Sequence, residues 1–90
     1  MITGQSIPSR LRSVLDYKLL DELVIYDPVS AKVAALNSSA GAIWELCDGS
    51  RSVDAICKEL ADHFGVSLEE VSMHVRVAVE RLHELGLLCV

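Results

Sequence analysis

The period of the apolar positions along the chain changes near residue 37. Before it, apolar residues stand in short runs of β-prone types, clearest at residues 23–26 and 32–36. Asp27 and Pro28 follow the first run, and these residue types favour the first two positions of a type I turn. The pattern predicts a hairpin with a loop of about four residues. Weaker alternation over residues 11–17 predicts another strand before it.

Beyond residue 37 the pattern indicates a first helix. Asn37 or Ser38 can cap it, because a side-chain oxygen there accepts a backbone N–H of the first turn. Gly49 can adopt a positive φ and is predicted to end the helix. The apolar stripe recurs at helical spacing as Ala40, Ile43, Trp44 and Cys47. Trp44, the only tryptophan, is predicted to be the main bulky core residue.

A second helix is predicted between Ser52, which can cap it, and Gly65, which can close it. Asp54 in its first turn would face the positive end of the helix dipole. Its predicted buried face consists of Val53, Ile56, Cys57, Leu60, Ala61 and Phe64.

The third helix has the clearest local signature. Ser67 and Glu70 have the spacing of a capping box, and the helix is predicted to run to about Leu85 and end at Gly86. The two residues after Gly86, Leu87 and Leu88, are predicted to fold back on the core. The predicted core stripe of the helix is Leu68, Val71, Val75, Ala78, Val79 and Leu82.

Three strands followed by three helices predict an α+β fold. Its expected form is winged helix-turn-helix-like, with a small three-stranded antiparallel sheet followed by three helices. Ninety residues favour a single domain over residues 1–90. Residues 1–10 are polar and contain Pro8, and they are read as a flexible arm or as the lead into the first strand.

Composition narrows the range of functions. Acidic residues outnumber basic ones by 13 to 8, a net charge of −5, which disfavours nucleic acid and anionic membranes as partners. No apolar run approaches the roughly 18 residues of a membrane span, and no signal peptide is recognised. Three irregularly spaced cysteines indicate reduced thiols and a cytoplasmic protein.

The sequence contains no recognisable catalytic or metal-binding set. There is no Cys-x-x-Cys motif, and His74 and His83 fall on opposite sides of their predicted helix. The capping box accounts for Glu69 and Glu70, and no nucleophile–base pair can be argued from spacing. We therefore expect neither a cofactor nor a metal, and we expect that the protein is not an enzyme.

The order and spacing of these motifs resemble the PqqD-like family, also called RiPP recognition elements. RiPPs are ribosomally made and post-translationally modified peptides. The resemblance extends over about residues 11–90. The matching residues are Leu36-Asn37, Ala40, Ile43-Trp44-Glu45-Leu46, Asp48-Gly49, Ser52-Val53, Ile56, Leu60-Ala61, Phe64, Leu82 and Leu85-Gly86-Leu87-Leu88.

The resemblance implies a binding domain without catalytic activity. In that family the leader of a precursor peptide binds as an added strand at a free sheet edge beside the third helix. The bound leader is thereby brought to a modifying enzyme, often a radical SAM protein and otherwise a cyclase or protease. The expected partners are therefore a precursor leader peptide and such an enzyme, with the domain itself a monomer or a weak dimer.

This chain has features suited to such strand addition. Residues 32–36 contain no proline, so each N–H group could donate, and their small side chains leave room for a guest. On a helical wheel, Arg81 continues a margin of the third helix that would form the opposite wall. The predicted peptide-binding residues are Lys32, Val33, Ala34, Ala35, Leu36, Val71, His74, Val75 and Ala78.

Two other functions stay open at this point. The helical half would suit a winged-helix DNA-binding regulatory module, although the acidic start of the third helix would repel phosphates. A small docking subunit of a larger enzyme is the other alternative. It would use Met73 and Val77, which lie nearly opposite the core stripe of the third helix.

Overall fold

The computed structural model describes residues 2–90 and contains two small antiparallel sheets and three helices. In chain order the elements are β1 (Ser9–Arg10), β2 (Leu15–Leu19), β3 (Glu22–Asp27), β4 (Lys32–Leu36), α1 (Ser38–Leu46), α2 (Val53–Phe64), α3 (Leu68–Glu84) and β5 (Leu88–Cys89). One sheet has the strand order β2-β3-β4, and the other pairs β1 with β5. The predicted α+β architecture is confirmed.

The hairpin between β3 and β4 forms as predicted, with four residues in its loop. The carboxylate of Asp27 organises that loop, since it accepts hydrogen bonds from the backbone N–H of Val29 (3.0 Å) and the hydroxyl of Ser30 (2.9 Å). Ala31 completes the loop with a φ of 60°. Because these interactions are local, residue type and spacing are enough to predict a loop that ends just before Lys32.

The preceding strands differ from the prediction. The strand expected at residues 11–17 is β2, shifted to Leu15–Leu19, and its five residues are all exposed. The sequence also gave no indication of β1 and β5, each two residues long and too short to show alternation. They form where Leu87 and Leu88 fold back on the core, as expected, which aligns Leu88 with Arg10.

Each helix begins at its predicted cap. Asn37 Oδ1 accepts the N–H of Ala40 (2.9 Å), Ser52 Oγ accepts that of Ala55 (3.1 Å), and Ser67 Oγ accepts that of Glu70 (3.3 Å). At the other end, Gly65 closes α2 with a φ of 66° and Gly86 follows α3 with a φ of 76°.

The end predicted for the first helix is wrong. α1 stops at Leu46, and the N–H of Cys47 donates to the Trp44 carbonyl. Gly49 lies beyond the helix with a φ of 81°, and its N–H donates to the Pro8 carbonyl. The helix ends early because the chain leaves it to contact the N-terminal segment, a long-range interaction that a local stop signal does not reveal.

Two predicted core residues also prove to be exposed. The Phe64 side chain is 57% exposed and stacks edge-on against His63, with ring centroids 4.9 Å apart. Leu68 is 50% exposed. They occupy the last residue of α2 and the first of α3, beyond the part of each helix that packs on the core. The helical period was correct, but it does not show where along a helix the packing stops.

The core lies between the inner face of the three-stranded sheet and the three helices. Trp44 is its largest side chain, 1% exposed, and its indole N–H donates to Asp16 on β2 (3.3 Å). The buried apolar residues are Ile2, Leu23, Ile25, Leu36, Ile43, Trp44, Cys47, Val53, Ile56, Cys57, Leu60, Ala61, Val71, Val75, Val79, Leu82, Leu87 and Leu88. This core connects α1 to both the sheet and α3.

The segment before β1 packs against the start of α2. The Ser6 carbonyl accepts the N–H of Val53 (2.8 Å), and the Gly4 carbonyl accepts that of Asp54 (2.9 Å). Pro8 is fully buried. The first-turn N–H groups of a helix have no partner within it, so these bonds satisfy them. Gly4 and Ser6, which belong to the segment that the sequence suggested as an arm, therefore cap a helix here, and Met1 of that segment lies outside the described residues.

Gly41 offers a test of the packing between α1 and the sheet. It is buried within the helix, yet an added Cβ would meet Leu23 Cβ at 3.6 Å, an ordinary contact. Glycine inside a helix is about 0.5–1 kcal/mol less stable than alanine. Gly41→Ala should therefore raise the free energy of unfolding in urea by about that amount. Gly65→Ala, at positive φ, should lower it. A destabilised Gly41→Ala would contradict the spacing between α1 and β3.

Candidate functional site

A groove with a volume of about 910 Å³ opens between β4 and α3, with part of α1 between them. It is mainly apolar. Its lining residues are Ala34, Ala35, Leu36, Asn37, Ser39, Ala40, Ile43, Glu70, Met73, His74, Val77, Ala78, Arg81, Leu82 and Leu85. The three elements thus form a trough rather than a closed cavity.

The first wall is the free edge of a sheet. β4 pairs with β3 along one side, and within residues 2–90 no strand pairs with its other side. An unpaired edge presents N–H and C=O groups that an extended peptide can complete. The strand is fixed in place by the β3 ladder and by Leu36, whose side chain is buried.

The second wall is a row of side chains on α3. Glu70, His74, Val77 and Arg81 follow one another at intervals of three or four residues, so they share one face of the helix. Met73 and Val77 are 66% and 61% exposed. The sequence suggested these two as a separate docking surface, but the structure places both in the groove. Met73 and Val77 line the groove because it opens beside the core stripe of α3 and not within that stripe.

Alanines leave space in the middle of the groove. Ala34 on β4, Ala40 on α1 and Ala78 on α3 are all half-buried and line it from three directions. Asn37 joins β4 to α1, so it lines the groove while its side chain caps the helix. Short side chains on facing elements leave volume for large apolar side chains of a guest.

The predicted binding residues fall into three groups. Ala34, Ala35, Leu36, His74 and Ala78 line the groove. Lys32 and Val33 lie on β4 but outside the lining set. Val71 and Val75 are buried and do not line it, a correction to their predicted place, because they belong to the stripe by which α3 packs on the core.

Sequence reasoning missed part of the lining. It did not assign Glu70, Ile43 or Leu85 to the groove, nor the residues at the start of α1. One signal was available: Met73 and Val77 are apolar residues four apart on an otherwise polar helix face. Such a pair marks a contact surface, but only the fold shows which element faces it.

A second hollow, of about 450 Å³, lies between the β2–β3 turn and α1. Its lining includes the charged residues Lys18, Asp21, Glu22 and Glu45, of which three are acidic. It shares Asn37 with the groove but contains little apolar surface that could anchor a peptide. The larger groove is therefore the better candidate for a binding site.

Local contacts shift the pKa of several side chains within residues 2–90. Burial raises the pKa of the Cys47 thiol to about 11, with Arg10 opposing and Asp48 adding to the shift, so the thiol stays neutral at pH 7. Hydrogen bonds from Ser50, helped by Arg51, lower the pKa of Asp48 despite some burial. In the part of the chain from residue 2 onward, no three His, Cys, Asp or Glu side chains are grouped to hold a metal.

The comparison with protein families decides the relationship that the sequence suggested. The family model described as Coenzyme PQQ synthesis protein D (PqqD) matches residues 22–88. The chain belongs to the PqqD family. The match spans the β2–β3–β4 sheet from its central strand onward, all three helices and the start of β5. A comparison with curated protein sequences gave no match.

Solved structures of the same fold agree with this membership. The PqqD truncation of Methylobacterium extorquens PqqCD, described as a stand-alone RiPP recognition element, is 18% identical with a TM-score of 0.84, covering 100% of this chain and 96% of that one. Lasso peptide synthetase B1 complexed with the leader peptide is 16% identical with a TM-score of 0.80, covering 94% and 100%.

A third structure is TbiB1 in complex with the TbiA(beta) leader peptide. It is 19% identical with a TM-score of 0.77, covering 89% of this chain and 93% of that one. All three matches extend over nearly the whole of both chains, so the fold of this protein is that of the PqqD family. None of the helices within residues 2–90 has the length and apolar character that crossing a bilayer requires.

Proposed function

We propose that this protein binds the leader segment of a ribosomally synthesised precursor peptide in the groove between β4 and α3. The observation that carries the proposal is the pairing of a free strand edge with an apolar helix face across one trough. The guest adds a strand antiparallel or parallel to β4, and its alternate side chains enter the groove. Two proteins of the same fold are described as leader-peptide complexes, which supports this choice of guest.

The expected affinity follows from the two walls. About four backbone hydrogen bonds to β4, at a net value of about 1 kcal/mol each, are insufficient alone. Two or three buried apolar anchors add about 1.5–3 kcal/mol each. After the ordering of the guest is subtracted, the dissociation constant should be about micromolar. The anchors, rather than the backbone bonds, therefore select the guest.

The protein in this proposal acts as an adaptor and performs no chemistry itself. It delivers the bound leader to a modifying enzyme, a radical SAM protein or else a cyclase or protease. The alternative of a docking subunit loses its separate surface, because Met73 and Val77 line the groove. The alternative of DNA binding is disfavoured by the net charge of −5 and by Glu69 and Glu70 at the start of α3.

Backbone amide NMR tests the proposal directly. The ¹⁵N-labelled protein is titrated with the leader of the precursor peptide encoded beside its gene, and a scrambled leader serves as the control. The amides of residues 32–36 should shift, and hydrogen exchange should slow at the alternate residues whose N–H groups face away from β3, because the guest completes the strand edge. The amides of α2 on the side away from the groove should not respond. Shifts confined to α2, or none at all, would refute groove binding.

A further inference from the structure

The groove carries one formal charge near each end of its helical wall. Glu70 lies in the first turn of α3 and Arg81 in the last, and no other Asp, Glu, Lys or Arg is among the described lining residues. Eleven residues correspond to about three helical turns, which places both side chains on nearly the same side of the helix. At 1.5 Å per residue they are separated by about 16 Å along the helix axis.

Neither charge is paired within the described chain. The ion pairs of residues 2–90 join Arg51 to Asp48 and to Glu59, far along the chain from the groove wall. The side chains between Glu70 and Arg81 that line the groove are Met73, His74, Val77 and Ala78. The wall is thus acidic at one end, apolar except for His74 in the middle and basic at the other end.

An extended guest that runs along the axis of α3 can match both ends at once. A strand rises about 3.3 Å per residue, and side chains on the same face recur at every second residue. Positions four and six apart are then about 13 and 20 Å apart, which brackets the separation on α3. Long, flexible side chains accommodate the remainder. The apolar positions between them would point into the space left by Ala34 and Ala78.

We propose that the groove selects peptides with a basic and an acidic side chain four or six positions apart, separated by apolar residues facing the groove. This inference rests on the proposed function and specifies the chemistry of its guest. The basic side chain lies beside Glu70 and the acidic one beside Arg81. The apolar anchors supply most of the affinity, whereas the two charges fix the register of the guest and reject peptides of the opposite pattern.

Each charge should have a modest effect on affinity. Exposed ion pairs change an equilibrium by about two- to fivefold, and added salt weakens them. A guest with a like charge opposite either residue loses the attraction of the ion pair and also gains a repulsion, so its affinity falls by more than the loss of the pair alone. The charges are therefore expected to alter which peptides bind much more clearly than how tightly the best ones bind.

A display library of random twelve-residue peptides provides the probe. It is selected against the full chain and, separately, against Arg81→Glu and Glu70→Gln. Arg76→Glu and Glu80→Gln, two exposed positions of α3 outside the groove lining, serve as matched controls. Peptides selected on the wild-type chain should carry the predicted pair. Peptides selected on Arg81→Glu should carry a basic residue where the wild-type selection gives an acidic one. Peptides selected on Glu70→Gln should show no preference for a basic residue at the other position.

Amide shifts of β4 and α3 with each selected peptide separate the two hypotheses. If selected peptides occupy the groove but show no paired charges, or if Arg81→Glu and Arg76→Glu select the same sequences, the charge rule is wrong and groove binding stands. If no selected peptide shifts these amides, peptide binding in the groove has failed as well. Changed selection by Arg81→Glu and Glu70→Gln, with unchanged selection by both controls, would support the rule.

Discussion

Ala78→Trp should weaken leader binding by about tenfold or more while the protein remains folded. Ala78 is half-buried on α3 and lines the groove opposite Ala34 and Ala40. An indole at this position would fill the space that an apolar anchor of the guest occupies. Loss of one anchor of about 1.5–3 kcal/mol corresponds to about a ten- to 150-fold rise in the dissociation constant, measured by calorimetry.

A matched substitution separates blocking of the groove from damage to the fold. Ala55→Trp places the same side chain at an exposed position of α2, outside the groove, and should leave binding unchanged. Val77→Ser is the second variant: Val77 is well exposed, so its loss removes a groove contact without disturbing the core. Unfolding in urea verifies that each variant is folded. If Ala78→Trp binds the leader with wild-type affinity, the leader does not bind in the groove beside Ala78.

The elements that the sequence predicted best are those whose signals are local. Asp27 bonds within its own loop, and Asn37 and Ser67 each bond an N–H three residues away. Such bonds join residues that are close in the sequence, so residue type and spacing are sufficient to predict them. The position of β4 followed correctly, because a four-residue loop and a helix cap limit it at both ends.

The errors arise where distant parts of the chain meet. α1 ends before Gly49 because the chain turns to contact the segment at Pro8. β1 and β5 exist only because residues 9–10 and 88–89 come together, and neither pair has a pattern of its own. Phe64 has the right spacing for the core but lies at a helix end that projects past it. The period of the apolar residues shows which face of a helix packs on the core. Tertiary packing decides how far along the helix that contact extends.

Of the two walls of the candidate site, the strand edge could be predicted from the sequence, whereas the wall on α3 depends on tertiary packing. The edge strand could be found because residues 32–36 are mostly apolar, contain no proline and form the last β-prone run before the helical pattern. A helical wheel placed Val71 and Val75 in the core stripe of α3 and Met73 and Val77 away from it, but it did not show which residues outside the stripe lie beside β4. Val71 and Val75 are buried, whereas Met73 and Val77 line the groove. The boundary between the two sets depends on how α3 lies against α1 and α2, which no single-helix pattern contains.

Trp44→Ala should have the largest effect on stability. Trp44 is almost fully buried in α1, and its indole N–H donates to Asp16 on β2, so it joins the helix to the sheet. Removing a buried aromatic ring costs about 3–5 kcal/mol. The whole stability of a chain of this length is about 5–13 kcal/mol, so much of it would be lost. Urea unfolding at 25 °C measures the change, and Trp44→Phe should lose far less because it keeps a ring in place.

Leader binding by Trp44→Ala shows whether Trp44 affects the groove only through the stability of the fold or also through the shape of the groove. Trp44 does not line the groove, but its neighbour Ile43 does, and α1 packs against both β3 and β4. If Trp44 acts only through stability, the apparent affinity of Trp44→Ala should fall in proportion to its folded fraction and recover as conditions favour folding. A folded Trp44→Ala that still fails to bind would show that the ring shapes the groove itself, by holding the β4 edge at its distance from α3.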